Sequence, residues 1–315
     1  MPPAVPSSPR ASAVIPVQDG ARYLRALLPV LREQDLPGGL EIVAVDSSST
    51  DESLSLLDQE GARVVHLAPG EFDHGTARNR GACAATGDYL LFLSQDALPV
   101  DRSYASRLVT ALDADERLAG AFARQVARPD ADPITRRDIA SWVAAAREPR
   151  VVFQPGPDAW RTLSPVERYR LAAFDNVASA VRRSVLTAEP FRRSRFGEDV
   201  EWGQRVLARG YGLAYVPEAA VQHSHRRSVR ALFRRNYLGH RLLFRLFGLR
   251  TVPDRPHLVR SSIGALVSDL ATLAAAGARP GAWLAAPAQA LAATYGQYLG
   301  SLDEAHGRPY PDWAS

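Results

Sequence analysis

Two hydrophobic periods alternate along the first hundred residues. Ala11–Val17 (ASAVIPV), 41–46 (EIVAVD), 62–67 and Tyr89–Leu93 are short apolar runs of strand length. Between them, Ala21–Arg32 carries Tyr23, Leu24, Leu27, Leu28 and Leu31 at helical spacing. A second helix is predicted to run through Leu57 with Ser49 or Thr50 as its cap, and a third over 74–85. Strand–helix alternation at this pitch predicts an α/β fold, a mostly parallel sheet flanked by helices on both faces. In such a sheet the segments just after the strands share one edge, the usual ligand crevice. Here those segments are 16–19, 46–51 (DSSSTD) and 94–96 (SQD). Either their acids and serines cap helices and begin turns, or the three loops together form a site.

The second third is less regular. A strand is predicted at 119–127, a helix at 134–146, a loop at 154–170 where Pro, Gly and charge concentrate, and a strand at 176–181. The run 219–225 (AAVQHSH) has strand character, and the Ala-rich stretch 261–302 reads as two or three helices broken near 277–281 and by Pro287. The organisation expected is a disordered tail over 1–10, a domain over 11–227 and a C-terminal helical region over 228–315.

Composition narrows this picture. A chain of 315 residues has ample length for one large α/β domain with an appendage. One cysteine, Cys83, excludes an internal disulfide framework and a cysteine-based zinc site. The Pro/Ser-rich start has no apolar core of a secretory signal, and no stretch reaches the ~18–20 uninterrupted apolar residues of a membrane span. A cytoplasmic location is the expectation. The formal net charge of +4 conceals an asymmetry: every basic residue is arginine, and eight of them lie between Arg226 and Arg250 without an acid. The rest of the chain is therefore mildly acidic, unlike the broad basic surface of a nucleic-acid binder.

Candidate chemistry gathers in four places. Asp96, at the end of the fourth strand, is placed to hold a divalent cation through oxygen. His223 and His225 would share a face if 219–225 is a strand, and Asp plus His suits Mn²⁺ or Mg²⁺ beside a phosphate; the same histidines also read as surface residues opening the basic segment. The run 196–202 (FGEDVEW) starts a helix at Gly197 with Glu198, Asp199 and Glu201 in its first turn. Such acids complement the helix dipole, yet three exceed that need, and a carboxylate held ionised there can take a proton from a sugar hydroxyl. Trp202, one turn on, is expected to reach the same cleft from the acceptor side with Glu198, whereas Glu201 reads as the i,i+4 partner of Arg205. Arg78, Asn79 and Arg80, early in the third helix, suit an anionic pyrophosphate, or else form a solvated helix face.

The order of these motifs resembles the family 2 glycosyltransferases, which have the GT-A (Rossmann-like) fold. The matching positions are Pro16-Val17, Asp46 through Asp51, Ala77-Arg78-Asn79 with Gly81, Gly87-Asp88-Tyr89 leading to Ser94-Gln95-Asp96, Gly197-Glu198-Asp199 and His223. The forms Phe72-Asp73-His74-Gly75, Ser94-Gln95-Asp96-Ala97 and His223-Ser224-His225 look most like the bacterial rhamnosyltransferase branch. The resemblance implies that Pro16 and Asp46 border the nucleotide and that Arg78 and Gln95 join Asp96 on the nucleotide-sugar. It further implies that Asp96 and His223 hold the metal and that Asp199 is the general base of an inverting transfer. The donor would be a dTDP- or UDP-sugar, rhamnose or a related deoxysugar, and the acceptor a glycan or lipid-linked glycan. One departure stands out: Ser94, without charge, replaces the first acid of the D-x-D element.

Within 226–250, Leu and Phe interleave with arginine. That pattern fits a helix lying in an anionic membrane interface, and equally one packed by its apolar face with arginines in solvent. Two further classes stay open on these residues: a metal-dependent hydrolase using the two histidines, and a catalytically silent nucleotide-sugar-binding module on the same fold. A dinucleotide-dependent dehydrogenase is excluded by the absence of G-x-G-x-x-G after the first strand.

Overall fold

The computed structural model describes residues 9–225, 228–311 and 313. Positions 1–8 of the expected tail, and Arg226 and Arg227, lie outside the described residues. A nine-stranded sheet runs in the order β3-β2-β1-β4-β8-β6-β9-β5, with β7 also paired to β9. Its strands are β1 Ala11–Val17, β2 Leu40–Asp46, β3 Arg63–His66, β4 Tyr89–Leu93, β5 Leu98–Pro99, β6 Leu118–Val126, β7 Arg150–Phe153, β8 Ala178–Arg182 and β9 Gly212–Gln222. β8 is antiparallel to both neighbours, so β6 and β9 regain the direction of β1 to β4. Six strands therefore end on one edge, and only β5, β7 and β8 oppose them.

Alternation along each strand feeds two cores. Ala13, Ile15 and Val17 of β1 and Leu91 and Leu93 of β4 pack on one side, beneath α1 Ala21–Arg32, α2 Ser53–Gln59 and, further along the sheet, the helix Tyr104–Asp113. Val14, Val43, Val45 and Phe92 face the other side, against α3 His74–Ala84 and later helices. Burial on both faces is why these strands read as unbroken apolar runs. The helices that follow are α4 Tyr104–Asp113, α5 Pro133–Ala140, α6 Pro157–Thr162, α7 Pro165–Ala172, α8 Arg183–Ala188, α9 Glu198–Ala208, α10 Val229–Phe247, α11 Arg255–Ala275 and α12 Pro280–Ala305.

Several expectations need correction. α2 starts at Ser53 and not after Ser49 or Thr50, because those residues tie loops together. The Asp46 carboxylate accepts from the Ser48 and Ser49 amides, holding Ser48 at φ +62°, and the Thr50 amide donates to Asp19 at 2.8 Å. The segment 154–170 is not a loop: it holds α6 and α7, and Ser164 with Glu167 forms a reciprocal capping box ahead of Pro165. The helix expected over 134–146 stops at Ala140, followed by a single 3-10 turn at Val143–Ala145. Pro287 removes one hydrogen bond at an exposed position without breaking α12, which α10 and α11 support along its length.

The basic segment resolves as α10, and its apolar face is occupied inside the protein. Tyr237, Leu238, Leu242 and Phe247 are buried, and α12 lies close against the helix. A side chain at Gly296 or Gly300 would meet the α10 backbone at Phe233 and Tyr237. Arg241 is buried too; its Nε donates to Glu304 at 2.7 Å, and its guanidinium lies 3.8 Å over the Tyr310 ring. Of the two readings of 226–250, the packing matches the helix held by its apolar face, since its Leu and Phe residues are largely engaged within the protein. α11 is the one helix among the described residues long and apolar enough, by length and composition, to cross a membrane.

Candidate functional site

Asp96 and His223 are 127 positions apart in sequence, and the topology brings them together. After β4 the chain crosses the sheet edge and pairs as β5 with the last two residues of β9, Val221 and Gln222. Asp96 sits in that crossing and His223 just beyond β9, where its amide donates to Val126 O at 2.9 Å. His223 Nε2 lies 3.6 Å from one Asp96 oxygen and His225 Nδ1 3.4 Å from the other. The two imidazoles meet edge to face at 4.5 Å. One ligand atom from each of the three residues falls within 4.8 Å of the others.

The chemistry of this donor set fits a divalent cation. Burial pushes His223 down to about 4; the neighbouring His225, Arg235 and Arg128 add to the depression, while the Asp96 charge opposes it. His225 is lowered by the same causes, burial first. Both rings are thus neutral at ordinary pH with a lone pair to offer, and a carboxylate with two imidazoles suits Mn²⁺ or Mg²⁺ with further positions left for phosphate oxygens and water. Ser94 lies outside this cluster.

Behind His223 stands a hydrogen-bonded chain invisible in the sequence. His223 Nδ1 is 2.8 Å from Gln125 Oε1, and the Gln125 amide nitrogen donates to Asp175. An amide oxygen only accepts, so His223 carries its proton on Nδ1 and turns Nε2 towards Asp96. The Val177 amide donates to Asp175 at 2.9 Å and Trp142 donates to the same carboxylate. Burial nonetheless raises Asp175 above the ordinary range.

The next residue leads to the acids of α9. Gly197 opens that helix at φ +67°, where a β-carbon would collide with Leu242 and L-residues are disfavoured. Asp199 accepts from the Asn176 amide at 3.1 Å and from its neighbour Val200 at 2.8 Å. Its residue surface is only part-buried, but its carboxylate is packed among protein atoms. Desolvation, then the charges of Glu198 and Asp175, push Asp199 up to about 8, against the pull of the Asn176 hydrogen bond and Arg78.

Three expected roles are corrected by these contacts. Arg78 is 4% exposed; it donates to Glu198 Oε1 at 2.6 Å and to Asn176 O at 3.2 Å, so it is no free cation for pyrophosphate. Glu198, paired with Arg78 and Asn176, is buried and presents nothing to an acceptor. Trp202 is fully buried, its indole donating to Glu189 O and its rings packed on Phe174 and Phe191. The side chain one turn along α9 faces the core rather than the cleft. Glu201 does pair with Arg205, at 3.1 Å.

The residues expected on the nucleotide side lie along the shared strand edge. Pro16 is in β1 opposite Val45, and Asp46 is buried at the end of β2 with His66 Nδ1 at 3.4 Å. Gln95 joins the loops after β1 and β4, its amide bonding Gln18 N and Gln18 O at 3.0 and 3.1 Å. It also lines, with Tyr23, Asp96 and Arg128, a cavity of about 170 Å³. Arg128 was not singled out by sequence reasoning, nor was Arg235. Arg128 donates to the Asp96 carbonyl, lies 4.9 Å over the Tyr23 ring and leaves its buried Nε without a partner. Arg235 comes from α10, and its charge reaches His223, His225 and Asp175. Arg128 follows Val126-Ala127 as an ordinary surface cation would, and Arg235 is one arginine among eight in its segment, so no local signal marks either.

A mostly parallel sheet with a cation-ready cluster at its strand edge, followed by C-terminal helices, is the GT-A glycosyltransferase fold. The profile of Glycosyl transferase family 2 matches residues 12–175, and the chain belongs to that family. It is 26% identical over 201 residues to the O-antigen chain rhamnosyltransferase WbaN of Salmonella anatum, covering 62% of this chain and 60% of that protein. It is 24% identical over 233 residues to the O-antigen chain rhamnosyltransferase RfbN of Salmonella typhimurium, covering 72% and 70%. The match thus spans less than two thirds of WbaN. Among solved structures, a mannosyltransferase of Pyrobaculum calidifontis in complex with GDP-Man and Mn²⁺ superimposes with a TM-score of 0.60 at 19% identity, over 96% of this chain and 89% of that one.

Proposed function

We propose that this glycosyltransferase moves a sugar, rhamnose or a related deoxysugar, from a dTDP or UDP donor to a hydroxyl of a glycan or lipid-linked glycan, with inversion. The observation that carries the reading is the convergence of Asp96, His223 and His225 on one point at the edge where the nucleotide loops end. Mn²⁺ or Mg²⁺ bound there would offset the negative charge of a departing nucleoside diphosphate. Arg128 and Arg235 flank the same position and complement that anion in place of the buried Arg78. Pro16 and Asp46 border the base and ribose, and Gln95 holds the first and fourth loops together beneath them.

Asp199 takes the proton of the attacking hydroxyl. Its carboxyl, held near 8 by burial and by Glu198, is a stronger base than an ordinary aspartate once ionised. Glu198 is held by Arg78 and offers no second nucleophile, so one base acting on one face gives a single displacement. The RfbN and WbaN relatives, both O-antigen chain rhamnosyltransferases, favour a rhamnosyl donor.

The test is the thermal stability of the purified protein with dTDP or UDP, each with and without Mn²⁺, beside Asp96→Ala. Nucleotide at 100-fold over Kd stabilises by about 2.7 kcal/mol. Stabilisation that needs Mn²⁺ and vanishes in Asp96→Ala is expected, and the better nucleotide identifies the base. No shift with either nucleotide would overturn the donor site.

A further inference from the structure

The hairpin of α11 and α12 carries an apolar face that no element among the described residues covers, apart from Tyr295 at its edge, whose ring stacks on Phe233 of α10 at 5.8 Å. The two helices run antiparallel through a connection at 276–279, and their seam is marked by Ser262 and Thr294, whose hydroxyls are 2.7 Å apart, and by Leu273 packed with Ala286. Ile263 and Tyr295 each lie one residue past a seam position, about 100° further round the helix. In an antiparallel pair, equal rotations from the seam lead to the same side. Val259 and Val267 extend that side along α11, and Leu284 and Leu291 along α12, at helical repeats of one or two turns. These six side chains are 42–84% exposed.

Charge around the face is predominantly positive. Between 255 and 302 the charged residues are Arg255, Arg260, Arg279 and Asp269. Asp269 is buried and bonded to Arg137 of α5 at 2.7 Å, and at the far end of α12 Asp303 is buried and Glu304 pairs with Arg241, so the exposed charges of the hairpin are these three arginines and the α11 cap Asp254, whose carboxylate accepts from the His257 amide. A second copy of the chain would set those arginines against one another, whereas an anionic lipid surface complements both the apolar face and its cationic fringe. The same Arg137 also donates to Ser268 and Thr272, fastening the middle of α11 to the catalytic domain. A spanning α11 would have to carry that polar cluster into hydrocarbon, so the helix lies along the surface.

We propose that the face formed by Val259, Ile263, Val267, Leu284, Leu291 and Tyr295 docks this protein on an anionic bilayer. Docking therefore brings the protein to the surface where a lipid-linked acceptor would be found; that last step rests on the transferase reading, and the docking itself does not.

The experiment is sedimentation of the full chain with vesicles of phosphatidylcholine alone or mixed with phosphatidylglycerol, for wild type and for the double variant Ile263→Glu/Val267→Glu. Both sites are exposed, and an unchanged melting temperature verifies that the variant is folded. Wild type is expected to sediment with the mixed vesicles, and the variant to partition at least about tenfold less. Failure to bind mixed vesicles, or equal binding by the variant, overturns the proposal. So does a lipid-free dimer that the substitutions dissociate, because a second copy would then cover the face. Nucleotide-induced stabilisation is read on the same samples, so loss of the transferase reading and loss of docking are separately visible.

Discussion

Asp199→Asn separates an acid kept for catalysis from one kept for structure. The carboxyl sits at about 8 in the fold, against 3.8 for an ordinary aspartate. The native state therefore keeps a proton that the unfolded chain releases, and stability falls as pH rises through the window from about 4 to 8. At about 1.4 kcal/mol per unit the whole displacement would amount to about 6 kcal/mol. Asp199 shares its environment with Glu198 and Asp175 and keeps some solvent contact, so about 2 kcal/mol is the realistic part. The amide cannot ionise and still accepts one of the two backbone donors. Asp199→Asn is expected to melt about 4 °C above wild type at pH 8, with the gap closing towards pH 5. Removing a general base costs about 10²–10⁴ in rate. Melts from pH 5 to 8.5 without nucleotide, beside release of nucleoside diphosphate in the presence of acceptor, supply both numbers. A variant that melts below wild type at pH 8, or that keeps activity within a few-fold, would refute the reasoning.

Other substitutions probe the remaining contacts. Gln125→Leu leaves the His223 tautomer unspecified and should weaken Mn²⁺ binding by about 10–100-fold, measured by the electron paramagnetic resonance signal of free Mn²⁺. Arg78→Met strands Glu198 in the core and should cost about 3–5 kcal/mol in chemical denaturation, with the double variant Arg78→Met/Glu198→Leu recovering much of it. Trp202→Ala should cost a similar about 3–5 kcal/mol and leave the acceptor KM unchanged in whatever protein remains folded. A specific rise in acceptor KM would instead return Trp202 to the cleft.

The parts of this molecule legible in its sequence are those governed by local pattern. β1 and β4 were marked by apolar runs because both their faces are buried, and α1 by a single hydrophobic stripe. Asp96 stood out as an acid after a strand, and Gly197 as a break before a row of acids. Gln125, Asp175 and Arg128 carried no such mark, because each matters only through a partner roughly thirty to a hundred positions away, and Arg235 was one arginine among eight in its segment. The same blindness misassigned Arg78 and Trp202. Cleft and core are both within reach of the first turns of α9, and only the packing of Phe174 and Phe191 decides which one the indole enters. The Leu and Phe residues of α10 were ambiguous for a related reason: an amphipathic helix does not announce what covers it, and here Gly296 and Gly300 let another helix do so.

The crossing of β5 onto the end of β9 also sets an order of events. During synthesis the first four strands, with Pro16, Asp46 and Asp96, leave the ribosome more than a hundred residues before His223. A nascent chain can thus pair its first four strands while only Asp96 of the three-residue cluster has been made. β9 is the last strand in the chain, so its pairings with β6 and β5 can form only after the others have been made. Under the proposed function, affinity for Mn²⁺ would in that case appear only once β9 has paired, so that metal binding reports completion of the sheet.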